Sequence, residues 1–309
     1  MKECRIVEIA EDGRAISTER GFMLVKAAGK EIGRIELDSI AAVICSANWT
    51  MLGTPAISKL SENGIPLVIC DKKTKVPVSA IIPLDSHWRQ ADIMEAQARC
   101  ALPKNKSAWQ AIVKAKLAQQ AQTLKYLGKT PACEILGNLA DGVKSDDSGN
   151  AEAQGAAIYW RELMGRNFRR DRHAEDENIL FNYGYTILRA CAIRSICAAG
   201  LNPSIGIHHC SPANTHRLSD DIMEPFRCFA DLCVMEISAC SDISLSNENK
   251  RKLSGVLTQR YFRGGQVISV AQMLIDTARK LAKYYLGEIK TFQIETVKSK
   301  YLNGARNES

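Results

Sequence analysis

Ile65-Pro66-Leu67-Val68-Ile69-Cys70, then, past Asp71-Lys72, Val76-Pro77-Val78-Ser79-Ala80-Ile81-Ile82 with Pro83 behind it, is the stretch where this chain changes character. Both runs are short, apolar and rich in β-branched residues, with turn residues at their ends, and so predict strands. Working back toward the N-terminus, residues 4–10, 23–27 and 40–45 repeat the pattern, with one short helix expected at 54–62. Working forward, the apolar residues recur every three or four positions over long segments, which predicts helices. Ser107 with Gln110 has the form of a capping box, ahead of Trp109, Ile112, Val113, Leu117, Ala121 and Leu124, with Gly128 as the stop. Ser269 with Gln272 repeats it ahead of Leu274, Ala278, Leu281 and Tyr285, while Leu180, Tyr183, Ile187 and Cys191 mark a helix between them. The boundary falls near residues 83–90. The expected fold is α+β: a small β-sandwich-like part over 1–85, then a larger all-α part over 86–309.

Composition narrows the function classes. The chain has 309 residues, enough for a substantial core and two domains, and with 46% hydrophobic and 24% charged residues it is neither disordered nor fibrous. A net charge of +7 is compatible with a polyanionic partner without requiring one. The 11 cysteines are scattered with no Cys-x-x-Cys pair, which argues against a zinc ribbon or a disulfide framework and for a reducing, cytoplasmic setting. The N-terminus lacks an apolar signal core and no apolar run is long enough to span a bilayer, so no membrane association is expected.

Three separated segments carry the chemistry: Glu152-Ala-Gln-Gly-Ala-Ala-Ile-Tyr-Trp160, Gly206-Ile-His-His209 and Asp220-Asp-Ile-Met-Glu-Pro-Phe-Arg227. Residues 136–151 read as a polar loop that delivers Glu152 into the first turn of a helix, a position acids favour for the dipole alone. Asp221 and Glu224 are three apart and share a helix face, an arrangement that is usually just solvated surface. Pro225, directly after them, bends the chain there and shapes the surroundings of both acids. His208 and His209 follow the helix stop Gly200-Leu201-Asn202-Pro203, and chemistry alone does not choose between them. Two carboxylates and an imidazole form an N/O donor set suited to Mg²⁺ or Mn²⁺, the cations of phosphodiester chemistry.

Arginines cluster just after the first acid: Arg161, Arg166, Arg169, Arg170 and Arg172, interleaved with Tyr159, Trp160 and Phe168. Guanidinium groups clamp phosphate and aromatics stack on unpaired bases, so this is a candidate DNA surface, with a solvated helix face as the plain alternative. Lys250, Arg251, Lys252, Arg260 and Arg263 extend the track. Cys191, Cys197, Cys210, Cys228 and Cys233 gather near the same region, where buried packing is their expected role.

Taken in order, the segments resemble the CRISPR-associated integrase family, the catalytic subunit of the spacer-acquisition complex. The resemblance runs through almost the whole chain. It includes Asn63–Asp71, Trp109-Gln110-Ala111-Ile112-Val113, Tyr183-Gly184-Tyr185-Thr186, and Gly200-Leu201-Asn202-Pro203. The family pattern of Gly, two residues and His, followed by an acidic run before Phe-Arg, falls on Gly206, His209 and Glu224. The first acid falls on Glu152, and Asp221 becomes a supporting carboxylate. The chain departs from the pattern at Cys228, where the family often has proline, and in the doubled histidine.

The resemblance implies a metal-dependent DNA integrase and endonuclease with Glu152, His209 and Glu224 as catalytic metal ligands for Mg²⁺ or Mn²⁺. Its basic residues, Lys250 and Arg251 with the arginine cluster, would hold double-stranded DNA. It further implies a homodimer paired through the β part, two dimers flanking a small ferredoxin-like partner in a heterohexamer, and the branch found beside a single-protein RNA-guided effector nuclease. A nucleotide cofactor is not implied, and no Gly-x-x-x-x-Gly-Lys-Ser/Thr loop occurs. Two other readings use the same residues: a DNA-binding protein whose acids are structural, and a metal-dependent hydrolase of small phosphate esters.

Overall fold

The computed structural model describes residues 5–71, 77–81, 87–171, 174, 176–212, 214–239 and 243–303. The N-terminal region contains β1 (Arg5–Ile9), β2 (Arg14–Glu19), β3 (Phe22–Ala27), β4 (Lys30–Glu36), β5 (Ile40–Cys45), β6 (Thr50–Leu52), α1 (Thr54–Glu62), β7 (Leu67–Cys70) and β8 (Pro77–Ile81). These strands form two four-stranded sheets, ordered β1-β5-β7-β8 and β4-β3-β2-β6. In the first, β1, β5 and β7 run parallel and β8 antiparallel; in the second, β2, β3 and β4 form an antiparallel meander and β6 joins β2 in parallel. Strands β2, β4 and β6 are not among the expected ones, and their composition explains why. Arg14-Ala-Ile-Ser-Thr-Glu19 and Lys30-Glu-Ile-Gly-Arg-Ile-Glu36 are polar on one face because that face is open to solvent.

The two sheets enclose an apolar layer of Ile9, Ile16, Met23, Leu37, Ile40, Val43, Leu60 and Ile65. Strand β5, Ile-Ala-Ala-Val-Ile-Cys, is buried along its whole length because its alternate residues Ala42 and Ile44 face the other way, into the helical core. A strand covered on both faces reads as a continuous apolar run, which is why it was the plainest strand in the sequence.

Helices follow: α2 (Gln90–Ala98), α3 (Leu102–Tyr126), α4 (Thr130–Asp141), α5 (Ala151–Met164), α6 (Asn178–Ala198), α7 (Arg217–Met223), α8 (Arg227–Ala239), α9 (Asn247–Gly255) and α10 (Val270–Tyr285). Half of the expected capping box at Ser269 is present: its side chain accepts from the Gln272 N–H, while the Gln272 side chain donates to Asp276 at 2.9 Å instead of reaching back. The one expected at Ser107 is absent, because α3 begins five residues earlier with Pro103 in its first turn, a position proline favours. The expected loop over 136–151 is shorter than its composition suggests: Thr130–Asp141 is helical, and only the stretch from Gly142 to Asn150 is irregular apart from a 3₁₀ turn. The C-terminal part is not all helix either. Strands β9 (Arg260–Arg263) and β10 (Gln266–Ser269) form an antiparallel hairpin around Gly264-Gly265, both with positive φ. No helix among the described residues is long and apolar enough to cross a membrane.

Helices α3 and α6 are the inner helices. Trp109, Ile112, Val113 and Leu117 of α3 are at most 1% exposed, as are Leu180, Phe181, Ile187 and Leu188 of α6. Helix α5 crosses α3 where Gly155 sits against Leu117: a Cβ on Gly155 would lie 2.1 Å from Leu117 Cδ2. That close approach brings the N-terminal end of α5 to the middle of α3.

Candidate active site

The N-terminal turn of α5, the middle of α3, the 206–209 loop and the end of α7 meet at one place. Glu152 enters α5 through Asp147, whose carboxylate accepts from the backbone N–H groups of Ala151 and Glu152 at 2.8 and 3.0 Å. Two of the helix's open N–H groups are thereby satisfied. Glu224 is the residue on which α7 ends: its own N–H bonds the Asp221 carbonyl, and Pro225, which has no N–H, turns the next residues into a 3₁₀ turn before α8 begins. The helix is interrupted at Pro225 by this 3₁₀ turn, and Glu224 is buried there, its side chain 3% exposed.

Lys116 joins the two acids. Its Nζ lies 2.7 Å from Glu152 Oε1 and 2.7 Å from Glu224 Oε2, and the second contact is an ion pair without hydrogen-bond geometry. Arg227, one turn on, takes the other Glu224 oxygen at 2.8 Å. Burial by itself opposes the charge on Glu224, but Arg227 and then Lys116 outweigh it and hold the carboxyl down at about 2. Burial opposes the Lys116 charge in the same way, and Glu224 and Glu152 reverse it, holding the ammonium above its ordinary value. Lys116 was not singled out in the sequence. Its signal was its place on the apolar stripe of α3, in step with Ile112 and Val113, where a lysine has to be paired.

The histidine pair is divided by geometry. His208 stacks its ring on that of buried Trp109, centroids 4.2 Å apart and 3° from parallel, with its outer face exposed. His209 turns Nδ1 to Asp221 Oδ1 at 2.6 Å, which leaves Nε2 as its free nitrogen. That bond raises the His209 pKa above its ordinary value, and Glu224 contributes to the same shift. Each of His209 and Glu224 thus feels the other's charge.

Asp221 holds the loop itself. Besides the imidazole it accepts backbone N–H groups from Ile207 at 2.6 Å, His208 at 3.3 Å and His209 at 3.2 Å. Both its oxygens are engaged, so it orients His209 rather than standing free toward a cation. Gly206 makes the turn feasible: a Cβ there would meet the His209 carbonyl at 2.6 Å and Arg217 Cβ at 2.8 Å.

Among the described residues no three His, Cys, Asp or Glu side chains stand close enough together to hold a metal in this arrangement. The donor chemistry nonetheless fits a hard cation. A cation already bridges the two carboxylates in the form of Lys116, and the carboxylate-oriented imidazole is the usual second half of a metal-binding histidine. On the inner side of Glu224 is a cavity of about 30 Å³ lined by Lys116, Gln120, Trp160, Arg227 and Asp231, large enough only for a water. Anything larger must approach from the side of Glu152 and His209, whose side chains are 28% and 36% exposed.

The basic cluster separates into two populations. Arg161, Arg166, Arg169 and Arg251 are exposed. Arg170 faces inward, bonding Asn178 and Asn182 at 2.6 and 2.7 Å over the ring of Tyr185. Lys250 pairs with Glu8 at 3.1 Å over Tyr183, and Arg263 with Asp276 at 3.5 Å. Arg172 lies outside the described residues. The interleaved aromatics pack inward: buried Tyr159 donates to Asp231 at 3.0 Å, and half-buried Trp160 packs on Phe168 and Phe181 at the edge of the core. Their spacing of one helical turn from buried positions could not be told from an exposed stripe without the partner helix. Cys191, Cys197 and Cys228 are buried as expected, while Cys210 is exposed.

Comparison with known proteins agrees with this architecture. Residues 7–263 match the family described as CRISPR associated protein Cas1. A CRISPR-associated endonuclease Cas1 of Neisseria meningitidis serogroup C is 35% identical over 230 residues, 74% of each chain. One from Pyrobaculum aerophilum is 23% identical over 272 residues, covering 82% of this chain and 89% of the relative. Among solved structures, a casposase bound to integration product superposes with a TM-score of 0.79 at 18% identity, over 100% of this chain and 96% of that one. A Cas1 protein from Thermotoga maritima gives 0.74 at 15% identity, over 93% and 98%. These two share the fold, two β-sheets followed by a mostly helical part. The family match spans most of the chain and contains all three segments of the site: this chain belongs to the CRISPR associated protein Cas1 family.

Proposed function

We propose that this protein is a metal-dependent DNA integrase and endonuclease of CRISPR adaptation, joining short foreign DNA to the repeat array by transesterification. The observation that carries the reading is the convergence of Glu152 and Glu224 on a single cation, beside a histidine held in one orientation by Asp221. In the reaction a 3′-hydroxyl oxygen of the incoming DNA forms a bond to phosphorus, the acceptor strand's P–O bond breaks, and the proton lost by the attacking hydroxyl is balanced by one gained at the leaving oxygen. One phosphodiester replaces another, so no nucleotide is consumed. Water in place of the hydroxyl gives strand cleavage from the same site.

A bound Mg²⁺ or Mn²⁺ would lower the pKa of the attacking hydroxyl and offset charge on the transferring phosphate. Glu152, Glu224 and His209 Nε2 are the groups to hold it. Asp221 fixes the tautomer and direction of His209, Arg227 keeps Glu224 ionised, and Trp109 with His208 closes the floor of the loop. Double-stranded DNA would run over the exposed Arg161, Arg166, Arg169 and Arg251. Relatives of the same fold include a Cas6-RT-Cas1–Cas2 complex, which supports a Cas2-type partner; pairing through the β-sheets, a heterohexamer and a cytoplasmic setting complete the proposal.

The test is strand transfer. Purified protein, with and without the small partner, is given a duplex with free 3′-OH ends and a supercoiled repeat plasmid in Mn²⁺. Joining and relaxation that disappear in EDTA and in His209→Ala are expected. Binding without joining under every condition would instead leave a DNA-binding protein with structural acids.

A further inference from the structure

Lys116 has no part in the residue set just assigned, yet it is the side chain on which both acids close. It comes from the middle of α3, is 8% exposed, and reaches Glu152 Oε1 with a hydrogen bond and Glu224 Oε2 without one. A buried ammonium between two carboxylates would ordinarily be a fixed structural bridge. Three observations set this one apart. The acids are unequally dependent on it: Glu224 keeps Arg227 at 2.8 Å if the lysine leaves, and Glu152, the more exposed of the two, is free to turn. Glu224 Oε2, buried, is met by the Lys116 ammonium at 2.7 Å, so it is the oxygen that a replacing cation would take over. Finally, Gln120 Oε1 is buried without a hydrogen bond one turn along the same helix and lines the same small cavity. Residues four apart on a helix lie side by side, so a displaced ammonium has an acceptor within its swing.

We propose that Lys116 is the resident counter-cation of the site, and that a divalent metal binds by exchange with it, the ammonium turning to Gln120. The inference rests on the metal-site reading above. Exchange lets the metal-free protein fold with its two carboxylates compensated, and it weakens metal affinity by the interactions the lysine must give up. Removing the lysine should then do two opposite things: destabilise the metal-free protein and tighten its hold on metal.

Mn²⁺ titration calorimetry and thermal melting in EDTA, on wild type, Lys116→Met and Gln120→Leu, test this without reference to activity. The expected result is an apparent Kd about tenfold tighter in Lys116→Met, as removal of a competing unit charge at contact distance allows, with a lower melting temperature in EDTA and a larger rise on adding Mn²⁺. Gln120→Leu, which leaves both ion pairs in place, should bind Mn²⁺ more weakly than wild type. If wild type binds Mn²⁺ and Lys116→Met binds it equally or less tightly, the exchange is wrong and the lysine is a structural bridge. Should Lys116→Met fail to fold, an unchanged Kd in Gln120→Leu overturns the exchange on its own. Absence of Mn²⁺ binding in all three proteins would instead remove the metal site, and this proposal with it.

Discussion

Asp231 lies one shell behind the acids, 1% exposed, accepting from Tyr185 at 2.6 Å and Tyr159 at 3.0 Å. Burial pushes its carboxyl up to about 6, against the pull of the two tyrosines. A carboxyl raised on folding contributes stability that is complete below its unfolded value of 3.8 and is lost as pH rises through about 6. The shift corresponds to about 3 kcal/mol at most. Asp231→Asn, which can accept from one tyrosine and donate to the other, is expected to flatten the stability curve between pH 4 and pH 6, measured by urea unfolding at closely spaced pH. A wild-type curve with no downward slope there would refute the assignment. Single residues also show where sequence reading stops. Glu152, His209 and Glu224 lie in segments whose acids, histidines and proline are visible as such. Lys116 passes without notice and Arg170 reads as part of the DNA surface, because what makes them different is the carboxylates and rings brought against them from α5, α6 and the turn after α7.

At the level of elements, legibility followed burial. Strand β5, covered on both faces, and α10, with its apolar stripe and Ser269 cap, were plain in the sequence, whereas β2 and β4, half open to solvent, and the four-residue strands of the β9–β10 hairpin were not. The start of α3 was missed because Ser107-x-x-Gln110 imitates a cap inside a helix already begun at Leu102. The crossing of α3 and α5 could not be read at all, since a glycine within Glu-Ala-Gln-Gly-Ala-Ala offers no hint of what it touches. Yet that contact sets the distance between Lys116 and Glu152. In Gly155→Ala the new methyl meets Leu117 Cδ2, which has no exposed space to turn into, and Leu136 Cδ2 at 3.3 Å. Either Leu117 is driven into another rotamer against its packed neighbours or the helices separate, at a cost of about 1–3 kcal/mol for overpacking of this kind. The expected outcome is a lowered melting temperature together with reduced strand transfer, against an Ala153→Ser control on the exposed side of α5 that changes neither. Full stability in Gly155→Ala would mean that Leu117 repacks freely and that α5 is not held by this contact.

For the molecule as a whole, the question is how a chain of +7 net charge presents itself to DNA. Much of its positive charge is used internally. Lys250 binds Glu8, which also accepts from Tyr183 at 2.6 Å and from Ser46, so one carboxylate of β1 ties the sheets to α6 and α9. Lys116, Arg227 and Arg263 are likewise paired with carboxylates, and Arg170 bonds the amides of Asn178 and Asn182 on α6. The exposed arginines Arg161, Arg166 and Arg169 remain, on the last turn of α5 and just beyond it, and that helix carries Glu152 in its first turn. Phosphates held at one end of α5 would therefore lie within a helix length of the acids, about 20 Å for 14 residues. If each arginine holds one phosphate, replacing all three with alanine should reduce the slope of log Kd against log salt by about 2.7, at about 0.9 per contact on duplex DNA. Affinity at low salt should fall steeply while the melting temperature stays unchanged, because Arg161 has only a 3.3 Å contact with its neighbour Glu162 to lose. The slope, rather than the affinity, decides between the readings. A protein that merely folds less well would bind more weakly at every salt concentration with its slope intact, and an unchanged slope in a stably folded triple variant would take the DNA path away from this end of α5.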